Sequence, residues 1–215
     1  MIKGIVFDLD GVLVSTDELH YQAWKRLADE LGITGFGRED NRRQRGVSRM
    51  ASLEVVLEKA DRIYTEEEKT ELAERKNNYY LELLKDMDNS AVLNSVCDVL
   101  SELKAKNILL AVGSASKNAP VILEKTGLMP YLNQVSCGLD TTRSKPDPEV
   151  FLVAAKKLNL KPEECLVVED SAAGIEAACA GGMRSLGVGP FHDALGADYD
   201  AEDLRAVSNW ESILA

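Results

Sequence analysis

Ile2-Lys3-Gly4-Ile5-Val6-Phe7 runs directly into Asp8-Leu9-Asp10-Gly11-Val12, and this junction decides the fold. A short, mostly apolar run that stops at a turn reads as a buried strand of a parallel sheet. Two carboxylates two positions apart leave its C-terminal end, and Gly11 lets the chain turn sharply there. Open α/β sheets bind their ligands at that edge. The junction thus sets a candidate nucleophile, Asp8, and a second carboxyl, Asp10, where chemistry happens in such folds.

Outward from this strand, two regimes follow. From about Asp17 to Met87 the pattern is helical and charged. Leu19, Ala23, Trp24, Leu27, Ala28 and Leu31 recur at helix spacing and stop at Gly32; Leu53, Val56, Leu57 and Ala60 repeat the pattern. Thr65-Glu66-Glu67-Glu68 reads as a capping box that opens a long helix toward Leu84. Beyond Met87, strands and helices alternate. Helices are expected over Val96–Lys104, Ala119–Lys125, Pro148–Leu158 and Ile175–Ala180. Strands are expected over Ile108–Val112, Gln134–Cys137, Leu166–Val168 and Ser185–Val188. That alternation implies right-handed βαβ units. The expected fold class is α/β, a doubly wound, mostly parallel, Rossmann-like sheet with an inserted α-helical cap. Residues 1–14 and 88–215 would form the core, residues 15–87 the cap, and the crossings near 14–17 and 85–90 the hinges. A lid over a strand-edge site suits a reaction that must exclude water.

The 215 residues suffice for one large domain or a domain with an insert, and at 45% hydrophobic they can bury a core. A net charge of −11 argues against a nucleic-acid partner, which calls for a basic footprint. It leaves room for a small anion in a local cationic pocket. Cys97, Cys137, Cys165 and Cys179 are scattered without CxxC spacing, so neither a zinc site nor a disulfide framework is expected. No apolar run reaches the ~18 residues of a membrane span, and no signal pattern opens the chain. The expectation is a cytoplasmic monomer with no membrane partner.

Four strand ends deliver polar groups in chain order: Asp8 and Asp10, then Ser114, then Lys145, then Glu169 and Asp170. Taken singly each has an ordinary explanation, such as a helix cap or a solvated lysine. Converging on one edge, they match the needs of phosphoryl transfer, where catalysis is mainly positioning and charge stabilisation. Asp8 and Asp170, with Glu169 nearby, suit Mg²⁺, which prefers carboxylates, carbonyls and water. Lys145 offsets repulsion between Asp8 and a phosphate, and Ser114 with neighbouring N–H groups can hold phosphate oxygens. A carboxylate can attack phosphorus without first losing a proton. The leaving oxygen needs one, and Asp10 is placed to supply it.

These residues resemble the four motifs of the haloacid dehalogenase superfamily of phosphotransferases: Asp8-Leu9-Asp10-Gly11-Val12, Ser114, Ser144-Lys145-Pro146-Asp147-Pro148, and Glu169-Asp170-Ser171-Ala172-Ala173-Gly174-Ile175. The resemblance covers nearly the whole chain. It implies Asp8 as nucleophile and Asp10 as acid/base. It also implies Mg²⁺ bound by Asp8, the Asp10 carbonyl and Asp170, with Glu169 assisting. Thr16, His20, Ala23-Trp24, Arg45-Gly46-Val47-Ser48-Arg49, Ser52-Leu53, Arg75-Lys76-Asn77 and Ser114-Ala115-Ser116-Lys117-Asn118 are similar to the β-phosphoglucomutase family. That family interconverts β-glucose 1-phosphate and glucose 6-phosphate through a bisphosphate. The resemblance implies that His20, Trp24, Gly46, Val47, Arg49, Ser52, Lys76, Ala115, Ser116, Lys117 and Asn118 bind the hexose phosphate and its bisphosphate. Arg49 would clasp the distal phosphate with help from Ser116, Lys117 and Asn118, while Thr16 would position Asp10 at the hinge. The chain departs from the family pattern at Ser15 (usually Asp), Gln44 (usually apolar), Asn94-Ser95 (often Pro-Gly) and Cys137-Gly138 (commonly Asp-Pro).

A sugar-phosphate phosphatase on the same fold is the nearest rival, differing in whether water or a sugar hydroxyl accepts the phosphoryl group. A non-enzymatic phospho-switch built like a receiver domain shares the acidic cluster, hydroxyl and lysine. Such switches lack an acid two residues after the acceptor and a helical insert of this size.

Overall fold

Strand β1 (Gly4–Phe7) is buried along its whole length and sits inside the sheet, as its apolar sequence requires. The computed structural model describes residues 1–215. Five further strands complete the sheet: β2 (Leu109–Gly113), β3 (Gln134–Ser136), β4 (Cys165–Glu169), β5 (Arg184–Val188) and β6 (Tyr199–Ala201). Their order is β3-β2-β1-β4-β5-β6, and every pairing is parallel. The chain winds outward from β1 through β2 to β3, then crosses to β4 on the other side. This reversal creates a crevice beside β1 at the C-terminal edge. Phe7 pairs in register with both Val112 and Val168, so Asp8, Gly113 and Glu169 leave the sheet at one level.

Alternate residues of each strand feed opposite faces. Ile5, Phe7, Leu110, Val112, Leu166 and Val168 join one apolar cluster with α5 (Val96–Ala105), α6 (Ala119–Lys125) and α9 (Trp210–Leu214). Val6, Ala111, Cys165 and Val167 face the other way, against α7 (Glu149–Lys157) and α8 (Ala172–Ala180). All four cysteines are free thiols. No helix is long and apolar enough to cross a membrane.

Between β1 and β2 lie α1 (Asp17–Glu30), α2 (Arg38–Arg42), α3 (Arg49–Leu57) and α4 (Glu66–Leu84). They enclose a separate apolar cluster that includes Trp24, Leu27, Phe36, Leu53, Val56 and Leu72. The capping box forms: Thr65 Oγ1 accepts from Glu68 N at 3.2 Å, and Glu68 Oε2 accepts from Thr65 N at 2.8 Å. The two crossings between this insert and the sheet run side by side. Ser15 N donates to Ala91 O at 2.9 Å and Leu93 N to Leu13 O at 3.0 Å, bracketing an antiparallel bridge between Val14 and Val92.

Three elements lie beyond the sequence expectations. Helix α2 (Arg-Glu-Asp-Asn-Arg) has no apolar period; Asp40 fixes it by accepting from Gly37 N at 2.8 Å and from Lys59. Strand β6 has only three residues and α9 only five, too short for periodicity to register. Ala60 lies past the end of α3, which stops at Leu57, yet it still packs on the insert's apolar cluster.

Ser95, in the segment that replaces the family's Pro-Gly, takes φ 64, the left-handed region. The other non-glycine residues there, Asn107 and Asn159, are of a type that tolerates it. Ser95 precedes α5 without a side-chain cap bond, so it gains nothing in return. Ser95→Gly should therefore raise stability by about 0.5–1 kcal/mol, the relief of left-handed strain exceeding the added chain entropy. In thermal unfolding this corresponds to roughly 2 °C upward.

Candidate active site

Lys145 is the centre of the site. Its side chain is fully buried, and Nζ donates to Asp8 Oδ1 and to Glu169 Oε1, both at 2.5 Å. The ammonium also lies 4.6 Å from the centroid of the Phe151 ring. Glu169 is itself saturated: Oε2 accepts from Asp170 N at 2.8 Å, Ser171 N at 2.7 Å and Ser171 Oγ at 2.8 Å. A Cβ on residue 174 would stand 2.0 Å from the Glu169 carboxyl carbon, so only glycine lets α8 approach this buried acid. The fourth motif thus folds its serine and glycine around its own glutamate.

Asp170 points the other way, toward the turn after β1. A Cβ on Gly11, at φ +89, would fall 2.1 Å from Asp170 Oδ2. Burial, then repulsion from Glu169 and Asp8, raises the Asp170 carboxyl to about 8. Burial likewise raises Asp8 to about 7, with Lys145 opposing and Glu169 and Asp10 adding to the rise. Lys145 is pushed up by Asp8 and Glu169 against the effect of its burial, so it stays charged. Three carboxylates thus face one ammonium, and full ionisation leaves two negative charges uncompensated. A divalent cation fits that deficit, and the free donors, carboxylates and main-chain carbonyls, are the hard oxygens Mg²⁺ takes.

The ligand set expected from sequence needs one correction. No three His, Cys, Asp or Glu side chains gather into a metal-holding group. Glu169 offers no free oxygen, because Lys145, Ser171 and the Asp170 amide occupy both. Asp8 and Asp170 remain as side-chain donors.

Asp10 follows the nucleophile candidate by one turn of chain. It accepts a short hydrogen bond from the Thr16 hydroxyl. Burial raises its carboxyl to about 6, with the Thr16 bond lowering it in part. Ser114 is buried just beyond β2; its Oγ accepts from Ser116 N at 3.1 Å, and Ser116 Oγ accepts from Asn118 N at 3.1 Å. These nested turns fix the Ser114–Asn118 loop, which lines the same cavity as Asp8.

A cavity of about 680 Å³ separates the sheet edge from the helical insert. Asp8, Asp10, Ser114, Ala115, Ser116, Lys117, Asn118 and Lys145 line it from the sheet side. His20, Trp24, Gly46, Val47, Arg49, Ser52 and Lys76 line it from the insert. Of the expected site residues, only Thr16, Glu169 and Asp170 stand behind its wall. Lys76 is buried between aromatic faces, 4.6 Å from the Trp24 centroid and 4.8 Å from that of Tyr80, and lies 2.9 Å from His20 Nδ1. Burial, then the Arg49 charge, lowers Lys76 to about 7. Burial and the Lys76 and Arg49 charges hold His20 well below its usual range, so it is neutral.

Three further contributors stand in the sequence motifs or departures without an assigned role. Asn77 Oδ1 accepts from Arg49 Nη2 at 2.8 Å and from Asn118 Nδ2 at 3.0 Å, tying the insert's arginine to the sheet-side loop. Its position directly after Lys76 was the available signal. Arg45 pairs with Asp17 and stands 3.9 Å from Asp170 Oδ2. Gln44 donates from Nε2 to Ser52 O at 2.8 Å, while its Oε1 is buried without a partner.

Comparison with other proteins agrees with this geometry. Residues 2–182 match the family model of haloacid dehalogenase-like hydrolases. A β-phosphoglucomutase of Bacillus subtilis (strain 168) is 39% identical over 199 residues, covering 92% of this chain and 88% of the relative. A phosphorylated carbohydrates phosphatase of Thermotoga maritima is 30% identical over 188 residues, covering 86% and 84%. The crystal structure of a β-phosphoglucomutase from Clostridium difficile matches with a TM-score of 0.91 at 36% identity, over 99% of this chain and 96% of that one. With the motifs gathered at one sheet edge and these likenesses running through nearly its full length, the chain is an enzyme of the haloacid dehalogenase-like hydrolase family.

Proposed function

We propose that the enzyme is a Mg²⁺-dependent mutase that interconverts β-glucose 1-phosphate and glucose 6-phosphate. The reading treats residues 15–87 as a cap that hinges on the paired crossings at Leu13–Ser15 and Ala91–Leu93 over a core of residues 1–14 and 88–215. One observation carries it: a cation reaches the cavity from each side, buried Lys145 set among the sheet-edge carboxylates and half-buried Arg49 on the insert. Arg49 is joined through Asn77 to the Ser116–Lys117–Asn118 loop. A sugar with two phosphates needs both; a monophosphate being hydrolysed needs one.

In this reading an Asp8 carboxylate oxygen attacks one phosphorus of the sugar bisphosphate, the bond from that phosphorus to the sugar oxygen breaks, and a hexose monophosphate leaves. Asp10 gives its proton to that departing oxygen. In the second half-reaction Asp10 takes a proton from the free hydroxyl of β-glucose 1-phosphate, which attacks the aspartyl-phosphate and yields the bisphosphate. The bisphosphate turns end for end and returns its other phosphoryl group to Asp8. Lys145 neutralises charge on the transferring group, and Ser114 with the loop amides holds its oxygens. Arg49 holds the phosphate that is not reacting, and its planar fork suits two oxygens at once. Glu169 orients Lys145. Bound Mg²⁺, held by Asp8, the Asp10 carbonyl and Asp170, would supply charge neutralisation at the transferring group. A sugar-phosphate phosphatase is the second reading, favoured by the likeness to the Thermotoga maritima phosphatase.

Product analysis separates the two. With Mg²⁺, β-glucose 1-phosphate and a trace of the 1,6-bisphosphate, glucose 6-phosphate should accumulate and inorganic phosphate should stay low. Rapid phosphate release instead would identify the phosphatase. Asp8→Asn should abolish product formation while leaving the fold intact by circular dichroism. Arg49→Ala should cut mutase flux about a hundredfold, the loss of a charge-assisted bidentate contact, yet reduce hydrolysis of a simple aryl phosphate far less. Equal losses would remove the distal-phosphate role.

The raised carboxyls also fix the sign of a pH effect. Asp10, Asp8 and Asp170 sit at about 6, 7 and 8 in the fold, against ~3.9 for a free aspartate. The folded protein therefore holds more protons than the unfolded chain between about pH 4 and 8, and metal-free stability should fall as pH rises through that window. Mg²⁺ competes with those protons, so its stabilising increment in thermal unfolding should grow from pH 5 to 8. An increment that stays flat would argue against ion binding at these carboxylates.

A further inference from the structure

Asp8 and Glu169 share Lys145, whereas the carboxylate of Asp170 accepts no hydrogen bond. The cation beside Asp170 comes from the helical insert. Arg45 Nη1 stands 3.9 Å from Asp170 Oδ2, and Arg45 Nη2 pairs with Asp17 at the start of α1. The backbone permits this approach: Gly46 takes φ 71, and a Cβ there would fall 2.6 Å from Ser171 Oγ. The turn carrying Arg45 is therefore pressed against the residue that follows Asp170.

A separation of 3.9 Å is too long for a hydrogen bond but short for a charge pair. Arg45 thus brings charge to Asp170 without occupying the lone pairs of its oxygens. A guanidinium does not give up its proton in proteins, so that charge is permanent. Its influence reaches the carboxyl: burial, then Glu169 and Asp8, raise Asp170, and Arg45 opposes the rise more than Lys145 does. The hydrogen bond that anchors Arg45 goes to Asp17, and its Nε is buried without a partner. Another cation can therefore take Asp170 without depriving Arg45 of its own partner.

We propose that Arg45 is a counter-ion that competes with the divalent cation for Asp170: it partly neutralises this carboxylate in the metal-free protein and lowers its affinity for Mg²⁺. The inference rests on the assignment of Asp8 and Asp170 as side-chain donors to that ion, and on nothing about the sugar. The coupling is reciprocal, so Mg²⁺ weakens the hold of Arg45 on Asp170 by the same factor.

The test is Mg²⁺ binding by titration calorimetry at about pH 9, where protons compete least for a carboxyl raised to about 8. Arg45→Met keeps most of the aliphatic stem and removes the charge. Its Kd for Mg²⁺ should tighten about tenfold, the scale on which one neighbouring charge acts on a carboxylate. Arg45→Gln, a second neutral variant, should tighten likewise, and Arg45→Lys, which keeps the charge, should stay within about threefold of the wild type. A merely structural role predicts the opposite sign, since lost packing loosens a site. Unchanged or weaker Mg²⁺ binding in the neutral variants, or equal tightening in Arg45→Lys, would overturn the assignment. Asp170→Asn, titrated alongside, separates the two readings. If it binds Mg²⁺ as the wild type does, the metal site itself fails. If it loses Mg²⁺ while Arg45→Met and Arg45→Gln match wild type, only the Arg45 role fails.

Discussion

The bond from Lys145 to Asp8 and Glu169 is the constraint on which the rest depends. These residues come from three stretches of chain, with Asp8 and Lys145 separated by 137 positions. An ammonium so deeply buried is tolerable only if its charge is met by anions and its protons by acceptors. The sheet supplies both, because β1 and β4 are neighbours in register and release Asp8 and Glu169 at one level. Lys145 then has two carboxylates to itself. Removing either would leave an uncompensated charge in the interior, a loss of about 3–5 kcal/mol by the usual behaviour of broken buried pairs. The order of strands is thus an electrostatic requirement as much as a packing outcome.

Once that centre is fixed, the helical insert meets it through Ala23, Tyr80 and Leu84, which join the sheet's apolar cluster, and through polar ties across the cavity. Arg45 reaches Asp170, Asn77 joins Arg49 to Asn118, and Gly46 lies against Ser171. Each pairs a residue of the insert with one from the loops at the sheet edge. The insert has its own apolar cluster, so it can keep its shape whether or not these ties are made.

This division explains what the sequence made legible. The β1 junction could be read because a buried parallel strand needs a continuous apolar run, and the two aspartates interrupt it abruptly. Helix α4 could be read because Thr65 and Glu68 satisfy each other's backbone donors locally. Helix α2 could not, since the stabilising partner of Asp40 is Lys59, nineteen residues away. The saturated state of Glu169 was equally hidden: a motif displays an acidic residue but not which of its oxygens are already taken. Asn77 acts across the cavity, through a contact with Asn118 that no local pattern encodes.

The cap cations sharpen the electrostatic logic. Lys76 is buried beside Arg49, and the two disfavour each other's charge; with burial this brings Lys76 down to about 7. Burial also lowers Arg49. In a chain of net charge −11 the insert side of the cavity thus brings buried Lys76 and half-buried Arg49 together, with Asp10 and Glu74 as their acidic neighbours. In the proposed reading a phosphate between Arg49 and Lys76 would relieve that repulsion and favour the protonated lysine.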